Sequence, residues 1–202
     1  MRDSLRSLLG EARVQVVRDR EKLSLKAASL TIVRQPEQAD FDRVVSVLRA
    51  ANAEFEPVLP PAFYRAYLAN VLDIRSRVEA AEMFVAAYRG RIMGTITLYP
   101  DAAEEGWGWP REWTGIRAVA VDPSARGLGI GRLLAQACID RSRMLGAQAV
   151  CLHTASFMQA AIAMYESLGF QRAPEFDRDA AALVASEAAE PRIAALAYRL
   201  DL

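Results

Sequence analysis

An α+β domain is predicted for this chain on three observations. A hairpin signal spans 83–99, a strand, loop, helix, strand, helix run spans 114–168, and 52% hydrophobic against 25% charged residues is enough to bury a core. The hairpin requires antiparallel pairing and the later run implies a parallel crossover, so both kinds of pairing are expected in one sheet. A length of 202 residues suits one compact domain.

Residues 1–30 read as an extension and 31–202 as the domain. In the extension Leu5, Leu8, Leu9, Ala12 and Val16 fall at helical spacing, which suits an amphipathic helix packed on the domain or on a second subunit of a homodimer. The segment lacks the apolar run of a secretory signal, and no stretch of about 18 apolar residues occurs anywhere, so the expectation is a cytoplasmic protein without a membrane partner.

The domain opens with a strand at 31–34 and a helix carrying Phe41, Val44, Val45 and Leu48 on one face. The acid- and proline-rich 54–61 stretch is a loop, and 62–74 is a helix with Phe63, Tyr67, Leu68, Val71 and Leu72 inward. Strands at 83–88 and 92–99 are joined by Arg89, Gly90 and Arg91, with glycine supplying the turn. A loop at 100–113 holds all three tryptophans and precedes a strand at 114–121.

A helix at 129–145 ends at Gly146, a strand follows at 149–154, and a helix at 158–168 comes next. Ser156 and Gln159 have capping-box spacing, and Gly169 followed by Phe170 suits a helix stop. The alanine-rich 180–189 piece is helical or loosely ordered, and a last strand covers 193–200.

Charge and cysteine content exclude several functions. Twenty-five basic residues balance 25 acidic ones, so no global field favours nucleic acid, and anion binding must be local. Cys138 and Cys151 are too few for a disulfide framework or a metal cluster, so no metal is expected and a reducing compartment fits.

The local anion site is the loop Arg126, Gly127, Leu128, Gly129, Ile130, Gly131, which follows a strand and opens a helix. That position gathers main-chain N–H groups at the positive end of the helix dipole, glycine lets an anion approach without Cβ obstruction, and Arg126 adds a charged donor. A Walker-type loop would continue with Lys and Ser or Thr, but Arg132 and Leu133 follow Gly131. A dinucleotide loop needs G-x-G-x-x-G, whereas the glycines here fall as G-x-G-x-G with no acidic residue closing the next strand.

What does fit is R-x-x-G-x-G at Arg126, Gly129 and Gly131, preceded by Ala118-Val119-Ala120-Val121-Asp122-Pro123 and followed by Ala161, Tyr165, Gly169 and Phe170 as A-x-x-x-Y-x-x-x-G-F. Together these closely resemble the coenzyme A-binding half of the GNAT N-acetyltransferase superfamily, over about residues 114–176. The resemblance implies the GNAT fold: a central mixed, mostly antiparallel sheet flanked by helices. It implies acetyl-CoA as cosubstrate and a small-molecule or peptide amine as acceptor.

By the same resemblance, main-chain groups of Val119 and Val121 meet the pantetheine arm and an N–H near Val119 meets the oxyanion. The 126–131 amides meet the pyrophosphate, and Tyr165 protonates the departing thiolate. A phenol of reference pKa about 10 and a thiol of about 8.5 are compatible with that step. His153, the single histidine, stands where ribosomal-protein alanine acetyltransferases carry a catalytic glutamate, and it is the first candidate base. Glu112, Glu175 and Asp177 are the fallbacks, and water is the other acceptor considered.

Met158 departs from the family pattern, since many relatives have an asparagine there that contacts the coenzyme. The acceptor pocket is expected from Phe55, Phe63, Tyr64, Trp107, Trp109 and Trp113. Of the same residues, core packing is the alternative reading for Tyr165, for the tryptophans and for the strand valines. A non-catalytic acyl-coenzyme A sensor is the alternative for the whole chain.

Overall fold

The computed structural model describes residues 29–180 and 193–202. The helix expected in the extension and most of the alanine-rich piece lie outside the described residues. Within them the chain runs β1 (Thr31–Arg34), α1 (Phe41–Asn52), α2 (Pro61–Leu72), α3 (Ile74–Ala80), β2 (Glu82–Tyr88), β3 (Arg91–Tyr99), β4 (Trp113–Val121), α4 (Ile130–Met144), β5 (Ala149–Ala155), α5 (Gln159–Ser167), β6 (Gln171–Arg172), β7 (Arg178–Asp179) and β8 (Ala194–Asp201).

One sheet takes the order β1-β2-β3-β4-β5-β8-β6, with β7 also on β8. Every neighbouring pair is antiparallel except β4 with β5, which is parallel because α4 carries the chain across between them. The expected mixed, mostly antiparallel sheet is therefore present.

Alternation along β2 divides the core between two faces. Phe84 and Ala86 join Ile96, Leu98, Ile116 and Leu152 under α4, which contributes Ile130, Leu134, Ala135, Cys138 and Ile139. Met83, Val85 and Ala87 join Val44, Val47, Leu48 and Ala51 of α1 on the other face. Burying each such large side chain contributes about 1.5–3 kcal/mol. Gly94 is where α4 comes closest to the sheet: a Cβ there would lie 2.8 Å from Ile130 Cγ2 and 2.9 Å from Leu134 Cδ1.

The β2–β3 turn has Arg89 at φ 51° and Gly90 at φ 77°, so both central residues are left-handed, as a twisted two-residue hairpin requires. The helix expected at 62–74 is present as α2 but stops at Leu72, and an unanticipated helix, α3, follows. Asp73, at ψ 75°, stops α2, and its carboxylate accepts from the Ser76 N–H at 3.3 Å and hydroxyl at 2.8 Å to start α3. A second correction concerns α5. Met158 is its N-cap, without a side-chain cap, and Gln159 Nε2 donates to the Ser156 carbonyl at 2.5 Å, so the capping box does not form. The stop is as expected: Gly169 has φ 95° and the Phe170 N–H reaches the Tyr165 carbonyl at 3.1 Å.

Candidate active site

The parallel ladder pairs Trp113 to Ile116 with Ala149 to Leu152 and then stops. Beyond it β4 stays with β3 and β5 stays with β8, so a cleft opens between 117–121 and 153–155. A bulge shapes the β4 side. Thr95 pairs with Ala120 and Thr97 with Arg117, so Ala118 and Val119 face the single Ile96. Ala118 sits at φ 51°, a conformation that costs a non-glycine residue about 1–2 kcal/mol.

The Asp122 N–H donates to the Met93 carbonyl at 2.8 Å. Main-chain groups of an antiparallel strand alternate sides, so the Val121 N–H points away from β3, toward the cleft. Val119 lines the cavity at the cleft's mouth.

The loop after β4 is fixed at its start. Arg43 pairs with Asp122 at 2.5 Å and donates from Nε to the Ile92 carbonyl at 3.0 Å, while Asp122 Oδ1 accepts from the Ser124 N–H at 3.0 Å. Those contacts lower the Asp122 carboxyl to about 2, the Ser124 hydroxyl bond being the largest cause. Gly127 and Gly129 both have φ 78°, and Gly129 is the N-cap of α4.

The first intrahelical bond runs from Leu133 N–H to Gly129 O at 3.0 Å, which leaves the N–H groups of Ile130, Gly131 and Arg132 without an i−4 partner. The Ile130 side chain is buried and Leu128 packs against the same core, so these residues present backbone to the outside. A Cβ on Gly131 would lie 3.2 Å from Met164 Sδ and 3.5 Å from Val121 Cγ2, so glycine sets the spacing of α4, β4 and α5 there. Arg126 is engaged elsewhere. Its guanidinium forms a two-pronged pair with Glu54 at 2.7 and 2.8 Å and reaches the Ala51 carbonyl at 3.2 Å.

A cavity of about 190 Å³ occupies the mouth of the cleft and brings together Val119, His153, Met158 and Tyr165. Tyr165 is 4% exposed and meets Phe170 edge-on at 5.5 Å. Burial pushes its phenol well above the ordinary value, so the O–H is protonated throughout the neutral range. Met158 lies in the cavity wall, its sulfur 3.6 Å from Thr154 Oγ1.

His153 lies between Trp107 and Trp109, with both ring centroids at 4.6 Å. Its Nε2 is 2.8 Å from the Phe176 carbonyl. A carbonyl only accepts, so Nε2 carries the proton, and the buried Nδ1 keeps a lone pair without a partner. Burial is the main cause that lowers its pKa to about 4. The site therefore holds a neutral imidazole of low basicity.

The fallback bases are elsewhere. Glu112 and Glu175 are exposed, and Asp177 is paired with Arg172 at 2.7 and 2.9 Å; none of the three lines the cavity. Of the six expected aromatics only Phe63 and Trp107 do. Trp109 and Trp113 instead pack against Phe176 at tilted angles, with centroids at 4.8 and 5.4 Å, Phe55 packs on Phe157 at 5.0 Å, and Tyr64 is in a buried cluster with Phe63 and Leu59. These side chains bury apolar surface within the fold instead of facing the cavity.

Sequence reasoning missed Tyr67, Asn70, Arg77 and Arg117, all of which line the cavity. Arg117 left a signal, being the one charged residue in the 114–121 strand. Arg77 left none, since it belongs to a helix that was not anticipated.

The family model described as the Acetyltransferase (GNAT) family matches residues 44–170. Mycothiol acetyltransferase from Thermomonospora curvata is 35% identical over 107 residues, half of this chain, and the match covers 33% of that protein. Glucosamine 6-phosphate N-acetyltransferase from Trypanosoma brucei brucei is 34% identical over 107 residues, 52% of this chain and 68% of that one. The structure of a GCN5-related N-acetyltransferase from Kribbella flavida superposes with a TM-score of 0.60 at 20% identity, covering 87% of this chain and all of that one.

Proposed function

The chain belongs to the GNAT family of acetyltransferases, and on that premise we propose that it transfers an acetyl group from acetyl-CoA to a primary amine by direct attack on the thioester carbonyl. The observation that carries this reading is the cleft itself. At one end stand the unpartnered amides that open α4; at the other, the cavity gathers the β4 edge, Tyr165 and His153. The residues present fit the coenzyme, because its pyrophosphate needs N–H donors without side-chain obstruction, and its extended arm needs a strand edge that no neighbouring strand occupies.

In this reading the amides that open α4, with Gly127 and Gly129 left-handed before them, hold the pyrophosphate, and the Val121 N–H holds the arm. The bulge at Ala118 turns the main chain near Val119 toward the forming oxyanion, where a fixed donor stabilises charge as it develops. As the amine nitrogen bonds to the carbonyl carbon and the carbon–sulfur bond breaks, the Tyr165 phenol gives its proton to the sulfur. Attack makes the amine proton far more acidic, so the weakly basic Nδ1 of His153, or water, is enough to take it.

The first deprotonation, from ammonium to amine, then belongs to bulk solvent. Activity is expected to rise with pH along the acceptor's own titration, without an inflection at the ordinary histidine value of 6.5. Two buried thiols, Cys138 and Cys151, support a reducing compartment and hence the cytoplasm.

The test is release of free thiol from acetyl-CoA by the purified chain across a panel of primary amines. Thiol release that depends on the amine supports the reading. Tight coenzyme binding without release for any amine favours the sensor alternative.

A further inference from the structure

We propose that the acceptor amine carries an oxyanion, a carboxylate or a phosphate, at its other end, and that Arg77 and Arg117 bind it inside the cavity. The amine half of this statement rests on acetyl transfer as proposed above; the anion half does not.

Arg77 is 5% exposed and lines the cavity from α3. One Nη donates to the Val71 carbonyl, and its Nε is buried without a partner. Arg117 enters from β4, with Nη2 2.9 Å from Asn70 Oδ1 and its guanidinium 4.3 Å over the Trp107 ring. Among the described residues, neither guanidinium is ion-paired with a carboxylate. Arg117 is close enough to disfavour the charge on Arg77: it adds to burial in lowering Arg77 to about 10, which still leaves Arg77 cationic at neutral pH. Two cations facing an apolar cavity are costly unless an anion joins them.

Among the described residues, the surrounding titratable groups do not supply that anion. Asp73 and Arg77 feel each other, but the Asp73 carboxylate is turned to Ser76 as the α3 cap and makes no ion pair with Arg77. Glu105 feels Arg117, but its carboxyl is buried, Oε1 has no partner, and burial pushes it to about 8, so it is mainly the neutral acid at neutral pH. Burial raises the phenols of Tyr67 and Tyr99, and His153 is neutral.

With no such group among the described residues, the proposal assigns that charge to the ligand. The cavity places this cationic end together with Tyr165 and Val119, where acyl transfer is proposed, within about 190 Å³. A small amine with an anionic tail fits both ends, and a planar guanidinium binds an oxyanion through two parallel hydrogen bonds. Phe63 and Trp107 in the wall favour an apolar body between them.

The experiment measures kcat/KM for two matched pairs of acceptors with the full chain: 4-(aminomethyl)benzoate against benzylamine, and glucosamine 6-phosphate against glucosamine. In at least one pair the oxyanion-bearing member is expected to be preferred by about 10- to 100-fold, and the pair concerned identifies the oxyanion. Arg77→Met and Arg117→Met should each bring that preference close to one. Arg117 is only partly buried, so its variant serves if Arg77→Met does not fold.

Equal or better use of the neutral member in both pairs overturns the proposal, as does a preference that survives both substitutions. A second readout needs no turnover: calorimetric binding of 3-phenylpropionate and of inorganic phosphate. If no amine releases thiol but either anion binds about tenfold more weakly to Arg117→Met, acetyl transfer fails and the anion subsite stands. If no amine releases thiol and neither anion binds, both fail.

Discussion

On the α4 side of the cleft the groups that would meet an anion are main-chain N–H donors at the start of a helix, and on the α2–α3 side they are the buried guanidinium groups of Arg77 and Arg117. The first arrangement needs only glycine at the right places, and the side chains of Leu128 and Ile130 remain free to pack the core. The second takes charged side chains from two elements into an apolar cavity, beside Glu105 and His153, whose pKa values burial moves in opposite directions. Backbone recognition is therefore insensitive to pH and to most substitutions, whereas the acceptor side is tuned by individual side chains. That difference suits a family with one donor and many acceptors.

Tyr165 stands where the two sides meet, and the largest effect is expected there. Tyr165→Phe keeps the ring against Phe170 and removes the proton, so kcat should fall by about 10²- to 10⁴-fold with little change in the KM for acetyl-CoA. Steady-state thiol release checks it, and unchanged turnover would remove Tyr165 from the mechanism.

Next in size is Glu105. Its pKa is about 8 in the folded protein against an ordinary 4.5, so the folded state holds the proton more tightly than the unfolded one. Stability is then full below pH 4.5 and falls as pH rises toward about 8. Glu105→Gln removes that loss and should stabilise the protein by about 3 kcal/mol at pH 7 in denaturant titrations. No gain at pH 7 would mean that the carboxyl has a partner in solution.

His153 has the opposite sign. Its folded pKa of about 4 lies below the ordinary 6.5, so its contribution is present above pH 6.5 and is lost as pH falls toward about 4. Wild type should lose about 2 kcal/mol more than His153→Gln between pH 7 and pH 5. Equal losses would show the imidazole to be solvated and the acceptor side less buried than described.

The smallest effect tests the α4 side. Glu54→Gln frees Arg126 from its two-pronged pair and should tighten coenzyme A binding about two- to fivefold, measured by calorimetry at low salt. No change would mean that the main-chain donors already provide the whole of the anion recognition.

How much of this could be read in advance follows the same division. The glycine loop, the helix it opens, the helix stop at Gly169 and the hairpin at Gly90 were legible, because positive φ and unpartnered helix amides are properties of neighbouring residues. Tyr165 was singled out by the family resemblance, whose motif it matches after the loop. The tryptophans misled: composition marks the 100–113 segment as a loop near a pocket, but only packing shows that Trp107 faces the cavity while Trp109 and Trp113 seat on Phe176. The break at Asp73 was missed because a polar residue inside a helical pattern reads equally as a surface position or as a new N-cap.

The amino-acid sequence by itself determined the α+β class, the crossover that makes β4 and β5 parallel, and the glycine loop that opens α4, since these depend on hydrophobic period, turn residues and one contiguous motif. Only the tertiary structure decided that the β4–β5 ladder ends at Ile116 and Leu152, that Glu54 holds Arg126, and that Arg77 and Arg117 share a cavity with Tyr165. The physical reason is that burial, and with it the charge state of His153 and Glu105, is set by what distant segments place around a group, and a linear pattern carries no record of that.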